Sequence, residues 1–292
     1  MNTRKKPDWL KIQLPKGDDY AHINKIVTKH KLHTICSSGK CPNAGECWGN
    51  GTATFMILGN ICTRACKFCN VPTGRPLPPD AKEAKRLARS IQLMQLKHAV
   101  VTSVDRDDLK DGGASFWADT IKEIKRTNPH TTLEVLIPDF DGRTELVDVV
   151  IAEKPEIISH NMETVRRLTR QVRSRAQYDT SLKVLRHISQ SECVAKSGIM
   201  LGLGETRDEV IETMKDLVDA HVEVLTIGQY LQPTIKHLPV SEYVTPEQFD
   251  EYKEIGQSLG IPIVESGPLV RSSYHAERHV NKKKLSYAKR AL

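Results

Sequence analysis

From Thr52 onward, short runs of apolar and β-branched residues alternate with longer amphipathic stretches, and this alternation confines the chain to parallel βαβ architecture. The pattern predicts strands at 52–59, 98–104, 132–138, 156–160, 197–203 and 223–230. It predicts helices near 80–96, 115–127, 143–153, 163–172, 178–191 and 206–220, then a helix at 246–259 and a short strand at 261–266. Six units suit an open barrel better than a closed eight-stranded one, so the expected fold class is α/β, a partial (β/α)6 TIM-like barrel. An N-terminal arm (1–51) would precede the barrel (52–234), and a C-terminal extension (235–292) would follow it.

Composition excludes several function classes. With 39% hydrophobic and 27% charged residues in 292, the chain can bury a sizeable core and is not a disordered sequence. No stretch approaches the ~20 uninterrupted apolar residues of a membrane helix. The basic start, Met1 to Trp9, is not followed by an apolar segment, so a cytoplasmic location without a secretory signal is expected. The net charge of +7 suits an anionic ligand or an acidic partner, but equally an ordinary basic surface. Nucleic-acid binding would interleave basic and aromatic residues, and aromatics are only 5%.

Six of the seven cysteines fall into two triplets: Cys36, Cys41 and Cys47, spaced Cys-x4-Cys-x5-Cys, and Cys62, Cys66 and Cys69, spaced Cys-x3-Cys-x2-Cys. Clustered cysteines in a cytosolic chain read as metal ligands or catalytic thiols. Three thiolates are an odd count for closed structural zinc, although His33 could supply a fourth ligand or the triplets could pool. For a [4Fe–4S] cubane, three thiolates leave one iron open to bind a small molecule. The second triplet directly follows the apolar run Thr52–Leu58 and a Gly59-Asn60 break, which places it on the first βα loop, where barrels carry their chemistry.

That arrangement resembles the radical S-adenosylmethionine (SAM) superfamily. The resemblance implies that the open iron chelates SAM and that the reduced cluster cleaves it to methionine and a 5′-deoxyadenosyl radical. Further motifs then carry two readings each. Ser103 and Asp105, in a polar loop after the second strand, could accept from the SAM amino group; alternatively the loop is capped by Asp111 or Ser115. Asn161 and Glu163 could hold the ribose or methionine part of SAM, or serve as helix N-cap and first-turn acid. Arg173 and Arg175 could pair with the SAM carboxylate. The Gly202-x-Gly204 turn could pass beneath an adenine or be a plain βα turn. The lone Cys193 reads as a small buried residue.

Taken together with Lys6-Pro-Asp-Trp-Leu-Lys, His160-Asn-Met-Glu-Thr, Thr226-Ile-Gly-Gln-Tyr-Leu-Gln-Pro-Thr and Arg271-Ser-Ser-Tyr-His, the paired triplets resemble the lipoyl synthase family over nearly the whole chain. The resemblance implies that Cys62, Cys66 and Cys69 bind the SAM cluster, and that Cys36, Cys41, Cys47 and Ser273 bind an auxiliary [4Fe–4S] cluster. No catalytic residue beyond the cluster ligands is implied. The implied reaction inserts two sulfur atoms, taken from the auxiliary cluster, at C6 and C8 of a protein-bound octanoyl chain. The implied partners are octanoylated lipoyl-carrier domains (2-oxoacid dehydrogenase E2 subunits, glycine cleavage H protein) and a ferredoxin- or flavodoxin-type reductant, with no nucleic acid and no membrane. Another sulfur-inserting radical SAM enzyme fits the six-cysteine layout less well. A zinc-binding interaction module would need four-ligand sets that are absent.

Overall fold

A computed structural model describes residues 6–11, 25–26, 29, 34 and 43–280. Seven parallel strands form one sheet in sequential order: β1 (Thr52–Ile57), β2 (His98–Ser103), β3 (Thr132–Leu136), β4 (Ile157–Ser159), β5 (Val194–Leu201), β6 (Val224–Gln229) and β7 (Ile263–Gly267). Helices α1 (Ala44–Gly49), α2 (Glu83–Leu93), α3 (Ala114–Thr127), α4 (Thr144–Ile151), α5 (Thr169–Val172), α6 (Tyr178–Ser189), α7 (Arg207–Asp219) and α8 (Pro246–Ser258) precede or separate the strands. This is the open barrel expected from the alternation. The seventh strand, within the stretch assigned to the C-terminal extension, hydrogen-bonds to β6 and lengthens the sheet. No helix among the described residues is long and apolar enough to cross a membrane.

The two faces of the sheet differ. Ala99, Val101, Leu133, Val135, Ile158 and Ala195 pack outward with Ile121, Val147 and Val184 of the helices. The register sets Glu134, Ser159, Lys196, Thr226 and Glu265 on the opposite, inner face. Local sequence fixes the helix starts: Thr206 with Glu209 and Thr245 with Gln248 form capping boxes, and Pro246 opens α8, where its missing N–H costs nothing.

Two expectations change. The helix foreseen at 163–172 shrinks to a 3-10 turn (Arg166–Leu168) and the single turn of α5. Glu163 takes a left-handed φ of 66°, donates its N–H to the Gly198 carbonyl and accepts from the Met200 N–H, so the backbone here extends the β5 ladder. Asn161 and Glu163 therefore do not cap or open a helix. The fifth strand begins at Val194, earlier than foreseen, because its ladder to β4 pairs Val194 with Ile157.

Candidate active site

The second cysteine triplet lies on the loop between β1 and α2, at the carboxyl end of the sheet. Leu58 and Gly59 turn the chain with φ of 66° and 93°. The loop closes on itself where the Cys62 N–H donates to the Pro72 carbonyl (2.9 Å) and the Gly74 N–H to the Cys62 carbonyl (3.0 Å). Neighbouring loops then grip it. Lys67 N–H donates to Val172, Ala65 N–H to the Ser174 hydroxyl, and Leu238 N–H to Lys67. His237 Nε2 sits 3.0 Å from the Cys69 carbonyl.

The thiols fit an iron–sulfur cluster by the chemistry of the donor set. Three soft sulfurs share one short loop, and the neighbouring thiols help to raise the pKa values of Cys62 and Cys69. Burial pushes the Cys69 thiol up to about 11 and raises that of Cys62, so iron must displace protons to bind. Backbone N–H groups of Arg64 and Asp105 donate to the Cys62 sulfur at 3.4 and 3.3 Å, the type of contact that tunes a cluster. Cys66 sulfur lies 3.7 Å from the Ser174 hydroxyl.

Arg64, between the first two cysteines, was not singled out from sequence. Arg64 is 7% exposed, and its guanidinium meets Asp105 (3.3 Å), Asp107 (2.8 Å), Asp139 (2.8 Å) and Asp141 (3.6 Å). Burial opposes its charge, yet the carboxylates hold the guanidinium well above its ordinary pKa. The available signal was charge pattern: one arginine inside the triplet and two Asp-rich stretches at strand ends.

Beside this loop a cavity of about 190 Å³ opens at the carboxyl ends of β4, β5 and β6. Phe68 of the cysteine loop lines one side, Asn161, Glu163 and Gly198 another, and Arg271 with Ser272 a third. Burial raises the Glu163 carboxyl above its usual range, while Arg173 and the Asn161 side chain pull the other way. Glycine is required at 198: a Cβ there would stand 2.6 Å from Thr226 Oγ1 and 3.0 Å from Asn161 Oδ1.

The structure thus brings Asn161 and Glu163 into the cavity, together with Phe68, Thr226, Arg271 and Ser272, which sequence reasoning did not assign to SAM. Asp105 lies instead at the cysteine loop, its carboxylate against Cys62 (3.7 Å) and Arg64. Burial, with Asp139 and Asp107 nearby, keeps its carboxyl above the usual range despite Arg64. Ser103 and Arg175 are outside the cavity lining. Arg175 is exposed and forks onto Asp141 at 3.0 and 2.8 Å, whereas buried Arg173 donates to Ser181 at 2.8 Å. Asp111 caps α3, accepting from Gly113 and Ser115 N–H groups, as the alternative reading of that loop held. Gly202 accommodates the polypeptide itself, since a Cβ would strike Gln229 Nε2 at 2.2 Å and the Glu242 carbonyl at 2.4 Å. Cys193 is buried, in a bend before β5.

Of the first triplet, Cys36 and Cys41 lie outside the described residues, as does His33. Cys47, on α1, is buried against the Arg271-Ser-Ser-Tyr segment: the Tyr274 hydroxyl donates to Glu46 (3.3 Å), His275 Nε2 is 3.6 Å from Glu46, and Asn43 donates to the Leu269 carbonyl (2.7 Å). Tyr274 is raised by burial, then by Glu46, with Cys47 contributing.

Residues 56–217 match the Radical SAM superfamily. The lipoyl synthase of Bacteroides thetaiotaomicron is 65% identical over 94% of this chain and 98% of its own. That of Treponema denticola is 62% identical over 95% and 96%, and the mitochondrial lipoyl synthase of Nematostella vectensis 61% identical over 94% and 95%. Among solved structures, methylornithine synthase (PylB) superposes with a TM-score of 0.55 at 12% identity, covering 83% of this chain and 81% of that one. HydG, a maturase of the [FeFe]-hydrogenase, gives 0.56 at 14% identity over 80% and 62%. At such identity these two share the fold alone.

Proposed function

The chain belongs to the lipoyl synthase family of radical SAM enzymes, and from that premise we propose how its own residues divide the family's chemistry. It is a sulfurtransferase whose cofactors are SAM and two [4Fe–4S] clusters, and it makes the lipoyl group on lipoyl-carrier domains. When bound, these cofactors supply the 5′-deoxyadenosyl radical that breaks unactivated C–H bonds at C6 and C8 of an octanoyl chain, and the sulfur that replaces hydrogen.

Cys62, Cys66 and Cys69 would hold the SAM cluster on the loop that borders the cavity. Asn161 and Glu163 would receive SAM, the half-buried Glu163 carboxyl offering an acceptor to its cationic amino group. Phe68, Ile199, Met200, Leu231 and Val270 keep water from the radical. Cys36, Cys41, Cys47 and Ser273 would hold the auxiliary cluster, Ser273 being the neighbour of Ser272 in the cavity lining. The observation that carries this reading is that one cavity is bounded by the cysteine loop and by Arg271 and Ser272, next to Ser273. An octanoyl chain in it would meet radical and sulfur donor without leaving the site. The natural carriers would be dehydrogenase E2 subunits or glycine cleavage H protein, the reductant a ferredoxin or flavodoxin type, and the location the cytoplasm.

Iron and acid-labile sulfide per chain, after anaerobic reconstitution, test the assignment. Two cubanes predict about eight irons in the wild type and about four when Cys36, Cys41 and Cys47 are all changed to Ala. The triple variant should still cleave SAM but form no lipoyl product on an octanoylated carrier domain. If it keeps every iron, the auxiliary assignment is wrong.

A further inference from the structure

We propose that His279 is a positioning residue for the auxiliary cluster: by accepting a hydrogen bond from buried Lys196 it moors residues 270–280 inside the barrel and so holds Ser273 in the segment that meets the helix carrying Cys47. The proposal rests on Ser273 being a ligand of that cluster.

The path of the segment supports it. The sheet ends at β7, and among the described residues β7 does not pair with β1. Residues 270–280 leave β7 and run along the inner side of this open barrel, from the carboxyl ends of the strands towards their amino ends. At the top, the Val270 carbonyl presses on β6, where a Cβ at Gly228 would come within 2.1 Å of it. In the middle, Tyr274 and His275 meet Glu46 of α1. Lower down, Glu277 accepts from the Thr52 hydroxyl at the start of β1 (3.2 Å). At the bottom, His279 Nδ1 lies 3.3 Å from Lys196 Nζ, and His279 Nε2 3.8 Å from Glu265 of β7.

The chemistry of that last contact is directional. The Lys196 ammonium has donors only, so Nδ1 must accept and the imidazole carries its proton on Nε2, facing Glu265. Lys196 donates also to Glu134 Oε2 (2.8 Å), whose second oxygen accepts from the Ser159 hydroxyl (2.8 Å). Lys196, Glu134 and His279 are each about 1% exposed or less. A buried ion pair is dear to desolvate and is satisfied only when its remaining donors find acceptors. His279 is one such acceptor, so the pair tethers the segment in one register. Six residues upstream sits Ser273, a ligand contributed by a different part of the chain from its three cysteines. Without an anchor, a fourth ligand on such a segment would have to be found anew each time the cluster forms.

The test compares wild type with His279→Leu, His279→Asn and a Lys196→Met/Glu134→Met double variant, all reconstituted anaerobically. Asn presents an acceptor near the place of Nδ1; Leu fills the space without one; the double variant removes the donor and keeps the core apolar. In the wild type and His279→Asn, about eight irons are expected, and in His279→Leu and the double variant about four, released to a chelator at the rate of the SAM cluster. Hydrogen exchange over 270–280 should quicken in the two variants that lose the contact and not in His279→Asn. The proposal is overturned if His279→Leu or the double variant keeps all its iron at the wild-type release rate with unchanged exchange, or if Asn fails as Leu does. The Cys36/Cys41/Cys47→Ala protein separates the two claims. If it loses no iron, the ligand assignment has failed; if it loses half while His279→Leu loses none, only the mooring has failed.

Discussion

The guanidinium of Arg64 lies 2.8 Å from the carboxylate of Asp139. Arg64 belongs to the first βα loop and Asp139 follows the third strand, so this pair bolts the cysteine loop across the top of the barrel. Asp107 and Asp105 from the second loop complete the clasp. Burial alone would raise the Asp139 and Asp107 carboxyls, but Arg64 holds both below the usual carboxylate range. An arginine suits the task because its planar fork serves several carboxylates at once.

Arg64→Met would leave Asp139, 2% exposed, without its cation. Loss of one partner from a buried pair costs about 3–5 kcal/mol, so the urea midpoint should drop accordingly. Iron at Cys62, Cys66 and Cys69 should be stripped faster by a chelator. Arg64→Lys keeps the charge without the fork and should fall between. Wild-type behaviour in Arg64→Met would show that the loop holds its shape without the clasp.

Stability should decline as the pH falls from 6.5 toward 4. Burial pushes His98 and His160 down to about 4, so each is neutral in the fold over a range where the unfolded chain is protonated. A histidine with a depressed folded pKa contributes fully above its unfolded value and loses that contribution on acidification. The slope is about 1.4 kcal/mol per pH unit for each histidine within that window. His160 is locked neutral by a relay in which Arg173 donates to Ser181, Ser181 to Nε2, and Nδ1–H to the Ile137 carbonyl. Urea midpoints at pH 7 and 5 should converge in His160→Gln relative to wild type; an unchanged difference would remove His160 from the account.

Gly198→Ala should act on SAM more than on the fold. The added methyl forces Asn161 or Thr226 aside at the cavity wall. Displacement of a positioning group by about an ångström can cost up to ~100-fold, and at least a tenfold weaker SAM affinity by calorimetry is expected. Unaltered affinity would place SAM away from this wall.

Gly228→Ala probes the other side. Its Cβ would collide with the Val270 backbone, which cannot swing aside like a side chain. The segment carrying Arg271, Ser272 and Ser273 should shift, and the auxiliary cluster should be lost before the SAM cluster. Iron analysis and SAM cleavage, measured on the same preparation, distinguish this from general unfolding.

The strand–helix alternation, the open parallel barrel, the two cysteine triplets and the place of the second triplet on the first βα loop were all legible in the sequence; that the strand near 261–266 joins the sheet as a seventh was not. The legible features are carried by local periodicity and spacing, which neighbouring residues suffice to express. Asn161 and Glu163 were legible as site residues, yet their backbone was not: the helix pattern at 163–172 gave way to ladder hydrogen bonds with Gly198 and Met200, supplied by a strand more than 30 residues away. The fold alone set which charges meet: Arg64 gathers aspartates from two neighbouring loops, Arg175 turns to Asp141, and Lys196 meets both Glu134 and His279 inside the barrel. Those contacts join residues from 34 to 83 positions apart along the chain. Charge pairing at such separations leaves no periodic trace, because Coulomb attraction depends on where the fold brings two groups and not on their spacing in the sequence.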